Sequence, residues 1–208
     1  NDYFLRLWHE LSFDRVNLRI SNENMNGFDN IWVPYNKGGG YRKWYGNNDY
    51  LLRWISKGKT LTRARTENKN YYFKKGVTWS FLTSGNFSCR YFDKGFLWDV
   101  AGSSIFAIKN EEIEYICALM NCKVSQFVFD IINPTLNYQV MNIISLPYIV
   151  HEKNNILSSL SRKCIQFSKT DWDSFETSWD FKNHPLLDKD KQNQIKNTIE
   201  MAYERELG

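Results

Sequence analysis

Between Tyr35 and Tyr50 the chain reads YNKGGGYRKWYGNNDY, and its residue types suit three kinds of chemistry. Consecutive glycines could let backbone N–H groups converge on a nucleotide phosphate. Arg and Lys threaded between Tyr, Trp and Tyr could face a nucleic acid. The run could also be a glycine turn between core strands. Spacing decides the first case. A Walker loop counted from Gly38 needs Gly at position 43, then Lys and Ser or Thr, and a dinucleotide fingerprint counted from the same residue needs Gly there too. Lys43 stands in that position, so both templates fail.

Charge favours the second case. From Lys37 to Lys94 there are 13 Lys or Arg against three acids, Asp49, Glu67 and Asp93, a balance of +10. The whole chain carries +4, so the remainder sums to −6. A basic segment interleaved with Trp and Tyr has the electrostatic footprint of a phosphate-facing surface, and a solvated face is the alternative. Lys and Arg on phosphates supply affinity, whereas Arg on guanine and Asn or Gln on adenine read sequence. Lys37, Arg42, Lys43, Asn47, Asn48 and Arg90 are the right types, in or near glycine-flanked turns where side chains can project. Tyr41 and Trp44, with Tyr45, could pack beside sugars or prop a distorted duplex; a core cluster is the alternative for these rings, above all for Trp44. A polyanion is the expected partner.

Other catalytic patterns are weaker. INPTLNYQ, from Ile132 to Gln139, lies near the Asn/Asp-Pro-Pro-Tyr/Phe motif with which amino-directed DNA methyltransferases hold a flipped base. Thr135 replaces the second proline and Leu136 the stacking ring, so Asn133-Pro134 reads as a helix stop. There is no G-x-S-x-G elbow, no H-E-x-x-H and no carboxylate series for two-metal chemistry. Asp171, Asp173 and Glu176 read as capping or ion-pairing residues. Cys89, Cys117, Cys122 and Cys164, and His9, His151 and His184, lack metal-ligand spacing and read as a reduced, cytosolic inventory. By itself the chain reads as non-catalytic, with no cofactor and no metal.

The elements that must position these residues follow from pattern. At 208 residues, 42% hydrophobic, 16% aromatic and 24% charged, the chain is globular, long enough for one core and an appended helical segment. Short aromatic and β-branched runs separated by glycine turns predict a mixed or antiparallel sheet before Phe106: Ile31–Val33, Asn70–Phe73, Val77–Leu82 and Phe96–Val100. Asp49–Ile55 reads as a brief helix among them. From Asn110 the apolar set 113, 116, 117, 120, 124, 127, 128 and 131 predicts one long helix packed on the sheet, and Leu136–Pro147 a last strand. After His151 the pattern turns helical and polar, with one helix carrying Ile156, Leu160 and Cys164 and another carrying Ile195, Ile199, Ala202 and Tyr203. The expected class is α+β, with an α+β domain over residues 1–150 and a helical extension over 151–208. Apolar runs such as Ile116–Met120 fall far short of the roughly 20 residues of a membrane span. The opening Asn1-Asp2-Tyr3 resembles no signal peptide and begins mid-pattern, as in a piece of a longer protein.

VPYNKGGGYRKWYGNNDYLLRW, GVTWSFLTSGNFSCRYFDKGFLWDVAGSSIF, INPTLNYQVMNIISLP and SKTDWDSFETSWDFKNHPL together resemble the C-terminal region of the PglX-type adenine-specific DNA methyltransferases of bacterial BREX phage-defence systems. The resemblance runs from Ile31 to Leu187. It implies a target recognition domain that follows an S-adenosylmethionine-dependent catalytic domain, with double-stranded DNA and that domain as partners. The family's catalytic and cofactor motifs have no match here. The alternative is a module that docks other subunits of a defence complex.

Overall fold

The computed structural model describes residues 3–21, 31–55, 58, 68–149 and 154–185. The chain divides into two compact units, Asn1–Lys169 and Thr170–Gly208. The architecture is α+β. In the first unit β1 (Leu5–Leu7), β2 (Ile31–Asn36), β3 (Tyr50–Trp54) and β6 (Leu97–Trp98) form a four-stranded sheet in the order β1-β3-β2-β6. Its strands pair antiparallel except β2 with β6. A second, antiparallel sheet has the order β5-β4-β7, from β4 (Gly76–Trp79), β5 (Cys89–Phe92) and β7 (Ser104–Ile105).

The helix expected at Asp49–Ile55 is instead β3. Its sequence YLLRW buries Leu51, Leu52 and Trp54, a pattern without clean alternation because this inner strand is flanked by β1 and β2 and covered on both faces. Five residues are too few for the helical period to be told from a buried strand. Leu52 and Trp54 join Ile20, Val33, Phe73 and Leu97 in the core of this sheet. Residues 70–73, expected as a strand, form a 3-10 turn at Lys69–Tyr71.

The long helix is two. After a 3-10 turn, α1 (Ile113–Asn121) packs on β5 and β4, and α2 (Lys123–Ile132) leaves it at a 66° bend. Cys122 makes the break: its backbone is extended, and its Sγ caps α2 by accepting from the Ser125 N–H at 3.4 Å. Ser125 Oγ also donates to the Leu119 carbonyl. Cys117 is a small core residue on α1, as its place on the apolar stripe predicts. The bend swings the rest of that stripe off the sheet. Phe129 faces inward against Phe87 and Tyr138, while Val124, Phe127 and Ile131 face out. α2 stops at Asn133, whose side-chain amide donates to the Thr135 and Asn137 carbonyls and accepts from the Thr135 hydroxyl.

The strand expected after it is a single bridge, Leu82 to Asn137, and then a short helix α3 (Val140–Ile144). Trp79 Nε1 donates to the Tyr138 carbonyl at 2.8 Å and fixes this return. α4 (Asn154–Trp172) carries Ile156, Leu160 and Cys164 as expected. Within the second unit Ser178 Oγ donates to Asp173 Oδ1 at 2.7 Å, and the Phe175 and His184 rings meet edge to face. Lys57, Lys59, Arg63, Arg65 and the stripe Ile195, Ile199, Ala202, Tyr203 lie outside the described residues.

Candidate nucleic-acid interface

Tyr35 of β2 pairs with Tyr50 of β3, so residues 36–49 form one long excursion from the end of a hairpin. Gly38 and Gly39 have φ of +86° and +126°, and both are hemmed in. A Cβ would stand 2.6 Å from the Ala101 carbonyl oxygen at Gly38 and 2.7 Å from Asn47 Nδ2 at Gly39, whereas Gly40 faces open space. The glycines therefore serve close packing of the loop on the second sheet, as the turn reading requires.

Most polar residues of the loop fasten it down. Lys37 Nζ pairs with Asp99 Oδ2 at 2.8 Å, and Asp99 Oδ1 accepts from the Ala101 and Gly102 N–H groups. Asn47, at φ +58°, donates from Nδ2 to the Gly40 carbonyl at 2.8 Å. Trp44, half-buried at φ +73°, behaves as a strand residue beside β5: its N–H donates to the Cys89 carbonyl at 2.9 Å and its carbonyl accepts from Tyr91 N–H at 2.8 Å. Lys43 Nζ donates to the Asn121 carbonyl at 2.9 Å, a cation on the negative end of α1. Tyr45 is buried, with Lys169 of α4 over its ring.

Asn48 and Arg90 do not project. Asn48 is buried, and Arg90, in β5, is 1% exposed beneath the glycine run. Its Nη2 donates to Ser80 Oγ at 3.4 Å, and Ser80 Oγ donates in turn to the Gly39 carbonyl. Nε and Nη1 have no partner. Loss of hydration lowers the Arg90 pKa to about 10, with Arg42 pushing the same way and Asp49 opposing. Burial raises the carboxyl of Asp49 above its usual range, and the charges of Arg42, Arg90 and His9 oppose that rise.

What remains on the outside is compact. Tyr41 is 57% exposed, and Arg42, Lys43 and Trp44 are partly so. The backbone held in this way carries the exposed Tyr41 next to the partly exposed Arg42, whose charge also acts on Asp49 and Arg90, with Lys69, Lys74 and Lys94 exposed in the same basic zone. Spacing did not reveal two residues that hold this loop. Asn121 closes α1 and is buried, its Oδ1 accepting from Cys89 N–H at 3.1 Å and its Nδ2 donating to the Cys89 carbonyl at 3.0 Å, as a neighbouring strand would. An Asn at a helix end is too common to single out. Asp99 carried a usable signal, an Asp three residues before Gly102 at a turn.

The glycine run does not fit S-adenosylmethionine, because protein already fills the space beside Gly38 and Gly39. No group of His, Cys, Asp and Glu among the described residues is placed to hold a metal.

The fold and loop define an α+β module that displays a basic, aromatic loop, and relatives narrow the class. No family model matches the chain. It is 38% identical over 191 residues to the adenine-specific methyltransferase BrxX of Escherichia coli O9:H4 (strain HS), a match that covers 90% of this chain and 15% of that protein. It is 33% identical over 215 residues to the adenine-specific methyltransferase PglX of Lacticaseibacillus casei (strain Zhang), covering 99% of this chain and 18% of that protein. The chain is homologous to a segment of the adenine-specific methyltransferases of the BrxX and PglX type, and spans less than a fifth of their length.

Proposed function

We propose that this chain is the target recognition module of an adenine-specific DNA methyltransferase of bacterial phage defence, BREX or a related restriction-modification system. It binds duplex DNA and positions it for a catalytic domain elsewhere in the parent polypeptide. That domain would bind S-adenosylmethionine and methylate the adenine N6. The observation that carries this reading is the homology over nearly the whole chain to methyltransferases that act on adenine. A rigid loop offering Tyr41 and Arg42 in a segment of +10 balance supports it from the chemical side.

Tyr41 and Arg42 are the contacts, Lys37, Lys43 and Asn47 hold the surface in shape, and Asn48 and Arg90 lie in the interior beneath it. The test is binding to labelled duplex DNA by fluorescence anisotropy across a salt series. Affinity should fall steeply with salt as counterions are released, and Arg42→Ala should weaken binding about tenfold and flatten the slope of log K against log salt by about one. Unchanged affinity and slope would remove this loop from the interface.

A further inference from the structure

Between residues 122 and 149 the chain has two charged residues, Lys123 and Asp130. Yet this stretch is well exposed. At 100° per residue, Val124, Phe127 and Ile131 share the side of α2 roughly opposite Ser125 and Phe129, and they are 64–71% exposed. α3 begins two residues after Tyr138, whose ring packs on Phe129 of α2. It adds Val140, Met141 and Ile144 to the exposed apolar residues, and the chain continues with exposed Tyr148 and Ile149. Tyr115 of α1 holds that last stretch, through its hydroxyl on the Ile149 carbonyl and its ring on Tyr148. Phe127 alone leaves on the order of 100 Å² in water. Several such side chains on α2, α3 and the stretch that follows exceed what a free protein surface ordinarily carries.

We infer that the outer face of α2 and α3 is the seat on which the remainder of the methyltransferase polypeptide packs. The occupant is a protein surface, apolar and uncharged. DNA is ill suited to a face with a single cation. A bilayer is ill suited too: no single described helix is long and apolar enough to cross a membrane, and α1 and α2, which together have the length and composition, meet at a 66° bend with α1 packed on β5 and β4. Size supports the choice: the relatives have more than four fifths of their length outside the matched segment, ample chain to cover the face. The inference rests on the homology and not on the DNA-reading proposal, because the apolar face and the Tyr41–Arg42 loop share no residue.

The experiment is hydroxyl-radical footprinting, read by mass spectrometry, on this 208-residue chain and on the full-length methyltransferase that contains it. Phe127 and Met141 should label readily in the chain alone and about tenfold less in the full-length protein, the change expected when exposed side chains enter an interface core. In the full-length protein the double variant Phe127→Glu, Ile131→Glu should restore labelling of Met141, while DNA affinity of the isolated chain stays unchanged. Equal labelling of the two forms would overturn the inference. So would protection already present in the isolated chain together with a doubled mass, which would make a second copy the occupant, or protection that requires phosphatidylglycerol vesicles.

Discussion

Replacing Arg90 by Met should leave the protein at least as stable as before, although Arg90 is among the largest fully buried side chains. The guanidinium sits in the interior with one long hydrogen bond and two donors without partners. Burial lowers its pKa to about 10, and a depression of that size corresponds to roughly 3 kcal/mol of disfavour for the charged form. A base with a depressed folded pKa carries this cost wherever both states are protonated, hence throughout neutral pH. The cost is relieved only as pH rises past about 10. Met keeps the length of the stem and removes the charge. Against the gain stands the lost bond to Ser80, about 1 kcal/mol, while the attraction to Asp49 is already contained in the net depression. The expected net effect is a stabilisation of about 1–2 kcal/mol, a rise in Tm of several degrees for a chain of this size. Urea titration at pH 7 and pH 10.5 measures it, and the difference between variant and parent should narrow at the higher pH. DNA affinity should be unchanged, since the side chain does not reach the surface. A loss of more than about 2 kcal/mol at pH 7 would mean that the guanidinium has a partner in the folded protein. Lost DNA binding in a stably folded variant would mean that Arg90 leaves the interior to touch the ligand.

Two further substitutions probe what holds the loop. Asn121→Ala strips the Cys89 N–H of its acceptor and opens a small void, and should cost about 2–4 kcal/mol in urea unfolding; a cost under about 1 kcal/mol would show that water replaces the amide. Gly38→Ala forces a Cβ against the Ala101 carbonyl at positive φ and should cost at least about 2 kcal/mol with a parallel loss of DNA affinity, whereas Gly40→Ala, in open space, should cost under about 1 kcal/mol. Equal costs at the two glycines would refute the close packing.

The class and the strands β2, β4 and β6 were legible because short β-branched and aromatic runs between glycine turns carry their own boundaries. Of the elements that were not, three have a clear physical reason. β3 reads as helix in the sequence because a strand covered on both faces loses its alternation. The strand expected after Leu136 is a bridge and the helix α3, since Asn133 curls its turn back and Trp79 claims the Tyr138 carbonyl, a partner 59 residues away in sequence. The single long helix failed at Cys122, where nothing in the apolar period announces a break, because a thiol that caps α2 is also an ordinary member of a helix face. At the loop, residue type identified the charged and aromatic candidates but not their directions. Lys37, Arg42, Lys43 and Arg90 share a chemistry, and only the structure shows that Asp99 holds Lys37, the end of α1 holds Lys43 and the interior takes Arg90.

The break at Cys122 also links local chemistry to assembly. Periodicity states which side chains share a face, not whether that face is covered. Had α1 continued straight, Val124, Phe127 and Ile131 would have stayed in register with Ile113, Cys117 and Met120 against the sheet, and the module would have closed on itself. The 66° bend instead divides the stripe, giving its first half to this core and its second to the outside. A sequence that keeps large apolar residues on the outward half, with two charges in 28 residues, is stable and unaggregated only if that half is covered in the assembled protein. The basic loop follows a different logic: Asp99 holds Lys37 and the end of α1 holds Lys43, while Tyr41 and part of Arg42 reach the surface. One face is thereby suited to an anion in water and the other to apolar protein, which is the division a recognition module needs if it is to hold DNA while joined to the domain that modifies it.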